Sequence, residues 1–132
     1  MMPSGQYYVG DLCYVMGDDE WAEVCKIVFS GSTFEQGEFS LKDGRRFAIY
    51  STTWGDGVYA DQASNEYSVD SGSIGCIRVE DIRVEKYENI EDLGAIHEFR
   101  KEFVTSEDDG VLQFGRVLID TDPEYDADED WY

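Results

Sequence analysis

Glu38-Phe39-Ser40-Leu41-Lys42-Asp43-Gly44-Arg45-Arg46-Phe47-Ala48-Ile49-Tyr50-Ser51-Thr52 holds two apolar-rich runs on either side of Asp43-Gly44. Asp-Gly supplies the positive φ angles of a tight hairpin turn, so residues 38–42 and 45–52 are expected to pair antiparallel. In the second run Arg45, Phe47, Ile49 and Ser51 share one face by the two-residue period of a strand. The same logic extends outward. Residues 58–60 and 66–69 are strand-like and flank a loop at 61–65, Ser71-Gly72-Ser73 turns into a run at 74–79, and Asp109-Gly110 joins 98–105 to 111–119. Upstream, 6–9 and 12–16 read as two short strands around a Gly10-Asp11 corner. One segment breaks the pattern: Trp21, Val24, Cys25 and Val28 recur at helical spacing behind Asp18 and Asp19, which predicts a helix over about 19–29, ended by Gly31. A second, short helix is expected over 90–97. The class is therefore α+β and β-rich, an antiparallel meander or small barrel-like sheet in a single domain over 1–119, followed by an acidic tail over 120–132.

Charge is the strongest compositional signal. The chain has 132 residues, 10 Lys+Arg and 30 Asp+Glu, for a formal charge of −20. Aromatic residues at 14% and hydrophobic residues at 42% suffice for one core, which separates the chain from disordered polyanions. No apolar run approaches the roughly 18 residues of a membrane span, and no basic, apolar leader opens the chain. A cytoplasmic location is the expectation. Such a body is repelled by nucleic-acid phosphate and anionic lipid and is drawn to cationic protein surfaces. Crowded carboxylates should also raise one another's pKa, so that stability would rise from pH 8 to pH 5 and with added salt.

Cys13, Cys25 and Cys76 form no Cys-x-x-Cys pair and read as buried thiols. A zinc site combining them with His97, the only histidine, would need ligands 12, 51 and 21 residues apart, unlike the close pairs of structural zinc. No EF-hand loop, nucleophile elbow or phosphate-cradling glycine loop is present. No catalytic residue, metal ligand or cofactor is expected.

Three motifs stand in order: Tyr8-Val9-Gly10-Asp11-Leu12-Cys13-Tyr14-Val15; Tyr50-Ser51-Thr52 with Gly55-Asp56-Gly57-Val58-Tyr59-Ala60-Asp61; and Tyr67-Ser68-Val69-Asp70-Ser71-Gly72-Ser73-Ile74-Gly75. Together they resemble a functionally uncharacterised family of small proteins of bacteriophages, large algal viruses and bacteria, in which Pro is usual at the position of Leu12. The resemblance spans residues 7 to about 80 and implies a phage-like or viral source and a β-rich domain, with no catalytic residue to carry over. Within the motifs, Asp11, Asp56, Asp61 and Asp70 adjoin turn residues, where aspartate caps backbone amides. The alternative is a ligand or acid–base pocket drawing Asp56, Asp61 and Asp70 together with Tyr59 or Trp54.

Residues 120–132 carry seven acids and no base. Asp120, Asp122, Glu124, Asp126, Asp128 and Asp130 fall at every second position, with Tyr125 and Trp131 between them, so an extended chain would separate acids from rings. Those eight residues are the expected partner-binding set. The expected function is non-enzymatic: engagement of a basic surface, that of a nucleic-acid-binding protein above all, with DNA mimicry as its specific form. The alternative to a binding role is a structural domain whose acidic tail is merely solvated. Alternating acids recur every ~6.7 Å, against one phosphate per ~3.4 Å of a DNA strand, so a mimic needs carboxylates from the folded body as well.

Overall fold

The computed structural model describes residues 1–30, 33–83 and 92–121. Its strands are β1 (Gly5–Gly10), β2 (Phe29–Ser30), β3 (Thr33–Phe34), β4 (Gly37–Ser40), β5 (Arg46–Ser51), β6 (Gly57–Ala60), β7 (Glu66–Val69), β8 (Ser73–Arg78), β9 (Ala95–Phe99), β10 (Thr105–Asp108), β11 (Val111–Phe114) and β12 (Val117–Asp120), with one α-helix, α1 (Asp18–Val28), among the described residues. The α+β, β-rich class with antiparallel sheets is the one observed. The hairpins β4–β5, β6–β7 and β10–β11–β12 are sequential as a meander would be, but the central sheet runs β4-β5-β8-β1-β9. There β8 and β1 lie side by side although far apart in sequence.

Burial explains that order. Consecutive Tyr7, Tyr8 and Val9 on β1 are all fully buried, the mark of a strand covered on both faces. On one face Tyr8, Phe47, Ile49 and Ile77 join Leu12, Val15 and Met16 and the α1 residues Val24 and Val28. On the other, Tyr7, Val9, Tyr50, Ile74 and Cys76 meet Tyr67, Leu112, Phe114 and Ile119. These last belong to a second sheet layer, in which β6–β7 touches β10–β11–β12 through a bridge between Asp61 and Ile119. Helix, central sheet and outer strands thus make three layers around two cores.

Several local expectations change. Residues 12–16 are not a strand: Leu12–Tyr14 is a 3₁₀ turn capped by the Asp11 carboxylate. Packing of Leu12, Val15 and Met16 under α1 decides this. The helix starts behind Gly17, whose amide is capped by Glu20, and ends at Val28, so Asp18 and Asp19 occupy its first turn and favour its positive end. Gly31 lies outside the described residues. Residues 95–97 are extended in β9 rather than helical, because pairing with β1 along Tyr8–Ile96 and Tyr7–His97 satisfies their backbone; 84–91 lie outside the described residues. The run 111–119 breaks at Gly115, where φ of +61° turns β11 into β12. Asp120 ends β12 opposite Val111, inside the folded body.

Candidate functional site

Strand direction places the Gly10-Asp11, Gly55-Asp56-Gly57 and Asp70-Ser71-Gly72 turns of the three sequence motifs at one end of the molecule. There β1 ends at Gly10, β5 at Ser51 and β7 at Val69, while β6 begins at Gly57 and β8 at Ser73. Asp11 is the centre of this end and is fully buried. Its Oδ1 accepts from the Cys13 amide at 3.0 Å and the Ser71 hydroxyl at 2.8 Å, and its Oδ2 accepts from the amides of Asp70 and Ser71 at 2.7 and 2.6 Å. One carboxylate therefore ties the corner after β1 to the turn between β7 and β8. Alongside, the Thr52 amide donates to the Gly72 carbonyl and the Tyr59 hydroxyl to the Gly55 carbonyl. Thr121 closes the end: its hydroxyl accepts from the Thr53 amide, and its own amide donates to Gly110.

Asp61 stands at the far end of the β6–β7 hairpin, roughly 15 Å of extended chain from Asp56. It accepts from the amides of Ala63 and Asn65, from the Asn65 side chain, and from the Tyr67 hydroxyl at 2.7 Å. Asp56 and Asp70 are exposed at the motif end. The structure thus parts the trio expected of a shared pocket. Asp61 instead holds its own turn, and Asp11 caps its own corner and the Asp70-Ser71 turn together.

A second polar chain was not legible in the sequence. Tyr67, fully buried, bonds Asp61 on one side and lies 3.0 Å from Nε2 of His97 on the other. Because the Tyr67 hydroxyl donates to Asp61, the tyrosine oxygen is left to accept, and Nε2–H of His97 donates to it, which assigns the tautomer. Burial raises the Tyr67 pKa well above its ordinary value. Burial would also raise that of Asp61, but the bonds from Tyr67, Asn65 and Ala63 outweigh it and lower the net value. For His97, burial and then the repulsion of Arg116 lower the pKa, against the attraction of Asp61. A lowered folded value means that the unfolded chain binds more protons just below pH 6.5, so stability rises with pH through that window. The melting temperature at fixed ionic strength should fall from pH 7.5 to pH 5.5, and His97→Gln should flatten the fall. A rise over that range would mean that carboxylate crowding outweighs His97.

Cys76 is buried, Cys13 and Cys25 are partly exposed, and none of the three is in a disulfide. Among the described residues no three His, Cys, Asp or Glu side chains gather as a metal ion would require, and no helix is long and apolar enough to cross a membrane. Of the residues expected to bind a partner, Asp120 closes β12 at the motif end; Asp122, Glu124, Tyr125, Asp126, Asp128, Asp130 and Trp131 lie outside the described residues. No family model, no curated protein and no solved structure matches this chain.

The bases Arg46, Arg78, Arg100, Lys101 and Arg116 stand at one end, whereas exposed acids occur at both. Asp56, Asp70, Asp108 and Asp109 are exposed at the motif end, together with Trp54 and Val58, which are 63% and 61% exposed. Arg46 begins β5, Arg78 ends β8, Arg100 and Lys101 follow β9, and Arg116 lies in the turn before β12. All five are at the opposite end, where Asp43, Glu80, Glu98 and Glu102 are exposed beside them.

Proposed function

We propose that this protein is a binding module without chemistry of its own, whose motif end engages a cationic protein surface. The surface of a nucleic-acid-binding protein is the best fit, with the carboxylates standing in for phosphates. The observation that carries the reading is that the exposed acids of the motif end stand without Arg46, Arg78, Arg100, Lys101 or Arg116 beside them. Exposed acids and the exposed Trp54 share the end at which Thr121, the last described residue, leads in sequence into the alternating acids of 122–132. Body carboxylates thereby supply the density that the tail alone lacks. Trp54 adds an apolar anchor of the kind that dominates interface energetics, and the acids add orientation and encounter rate.

The test is retention of the full chain on an immobilised basic DNA-binding protein, with poly-lysine as a second resin. Retention is expected at 0.05 M salt and should be lost by 0.5 M, where screening is severe. Free duplex DNA should displace it. Neutralising Asp120, Asp122, Glu124, Asp126, Asp128 and Asp130 to their amides should weaken binding tenfold or more, because six exposed pairs are worth roughly 0.2–1 kcal/mol each. Trp54→Ala should weaken it further. Retention that ignores salt and survives neutralisation would overturn the reading.

A further inference from the structure

Three bases gather at the opposite end around a stacked aromatic pair. Phe99 and Phe103 lie with ring centroids 3.9 Å apart and planes at 18°, and the Arg116 guanidinium stands over Phe99 at 4.8 Å. With Arg100 and Lys101 they line an open groove of about 530 Å³. Glu98 and Glu102 also border it, yet none of the ion pairs among the described residues involves Arg100, Lys101 or Arg116. In a chain with three acids for every base, a base within 4 Å of a carboxylate is the default outcome, and these three bases lack one among the described residues. The groove's three bases outnumber its two acids and make no ion pair with them, so an anion brought beside Phe99 and Arg116 gains more from the bases than it loses to Glu98 and Glu102.

We propose that this groove receives the chain's own segment 122–132, as an intramolecular clasp. The segment matches the groove in chemistry: acids for Arg100, Lys101 and Arg116, and the rings of Tyr125 and Trp131 for the apolar floor. Reach is sufficient. Thr121 and the groove stand at opposite ends of the four-residue β12, about 14 Å apart along the strand, whereas eleven residues span up to about 36 Å. Attachment in the same chain sets an effective concentration of about millimolar, so even a millimolar affinity would occupy the groove about half the time. The clasp goes beyond the partner reading, since it withholds from a basic partner the acids meant to bind it.

Quenched-flow hydrogen exchange across 122–132, referenced to a synthetic peptide of that sequence, decides it. At 0.05 M salt the full chain should exchange this segment about twofold or more slowly than the peptide. The protection should vanish at 0.5 M salt, in Arg100→Glu/Lys101→Glu, and in Asp126→Asn/Asp128→Asn/Asp130→Asn. The last variant leaves the groove intact and decides the matter if the charge reversal disturbs folding. Protection should be unchanged by hundredfold dilution. Exchange equal to that of the peptide would overturn the clasp, as would protection that fades on dilution, the mark of a second copy as donor. No partner is present in this experiment, so its outcome and that of the resin capture are independent.

Discussion

Asp11→Ala should destabilise the protein by about 4 kcal/mol, because it strips a buried charged acceptor from several donors at once. The amides of Cys13, Asp70 and Ser71 and the Ser71 hydroxyl all end on this side chain. Asp11 itself is fully buried, so water cannot replace the carboxylate without reopening the corner. At this chain length the loss corresponds to a fall in melting temperature of about 15 °C. Asp11→Asn should cost less than half as much. Its carbonyl can keep the Asp70 and Ser71 amides and its amide can donate to the Ser71 hydroxyl, leaving only the Cys13 amide facing another donor. Urea denaturation of both variants measures this. A loss below about 1.5 kcal/mol for the alanine variant, the worth of one ordinary hydrogen bond, would show that the turns hold without the clasp.

Gly75→Ala is expected to be comparably severe, at roughly 3 kcal/mol or more, because extra volume in a close-packed core displaces backbone. A Cβ at this position would overlap the Ala48 carbonyl oxygen and come within 2.8 Å of Leu12 Cδ1. The carbonyl belongs to β5, paired with β8 from Phe47–Ile77 to Ser51–Ser73, so it cannot yield without loosening that ladder. Leu12 is fixed by the 3₁₀ turn that Asp11 caps. Gly44→Ala provides the contrast: its Cβ would meet nothing within 4 Å, and the residue bears only the strain of φ +97°, about 1 kcal/mol. Equilibrium unfolding should rank Gly75→Ala well below Gly44→Ala in stability. The reverse order would mean that the central sheet has slack where it touches the corner.

Asp43-Gly44 and the 66–69 alternation made their hairpins readable and Asp109-Gly110 its turn, because turn chemistry and a two-residue period act over a few neighbouring residues. The strand before that last turn is 105–108 rather than 98–105, whose first residues pair with β1 in β9. The stripe from Trp21 to Val28 made α1 readable for the same reason. The expectation for 90–97 was different in kind: a short apolar segment is compatible with helix or strand, and only the free edge of β1 made 95–97 extended. The aspartate turns were legible at Asp11 and Asp61 as local capping, but that Asp11 reaches Asp70 and Ser71 was not. Those partners are some sixty residues away.

Composition established the net charge of −20, and residue order alone the alternation of acids in 120–132. These are properties of a list of residues and need no fold. Which acids share an end, which bases are left beside Phe99 and Phe103, and how His97 meets Tyr67 and Asp61 were decided only by tertiary structure. Each depends on strand order and direction, and a central sheet ordered β4-β5-β8-β1-β9 joins segments by burying both faces of β1. That driving force is the apolar area removed from water. It is non-directional and acts between segments far apart in the chain, so no local pattern records it.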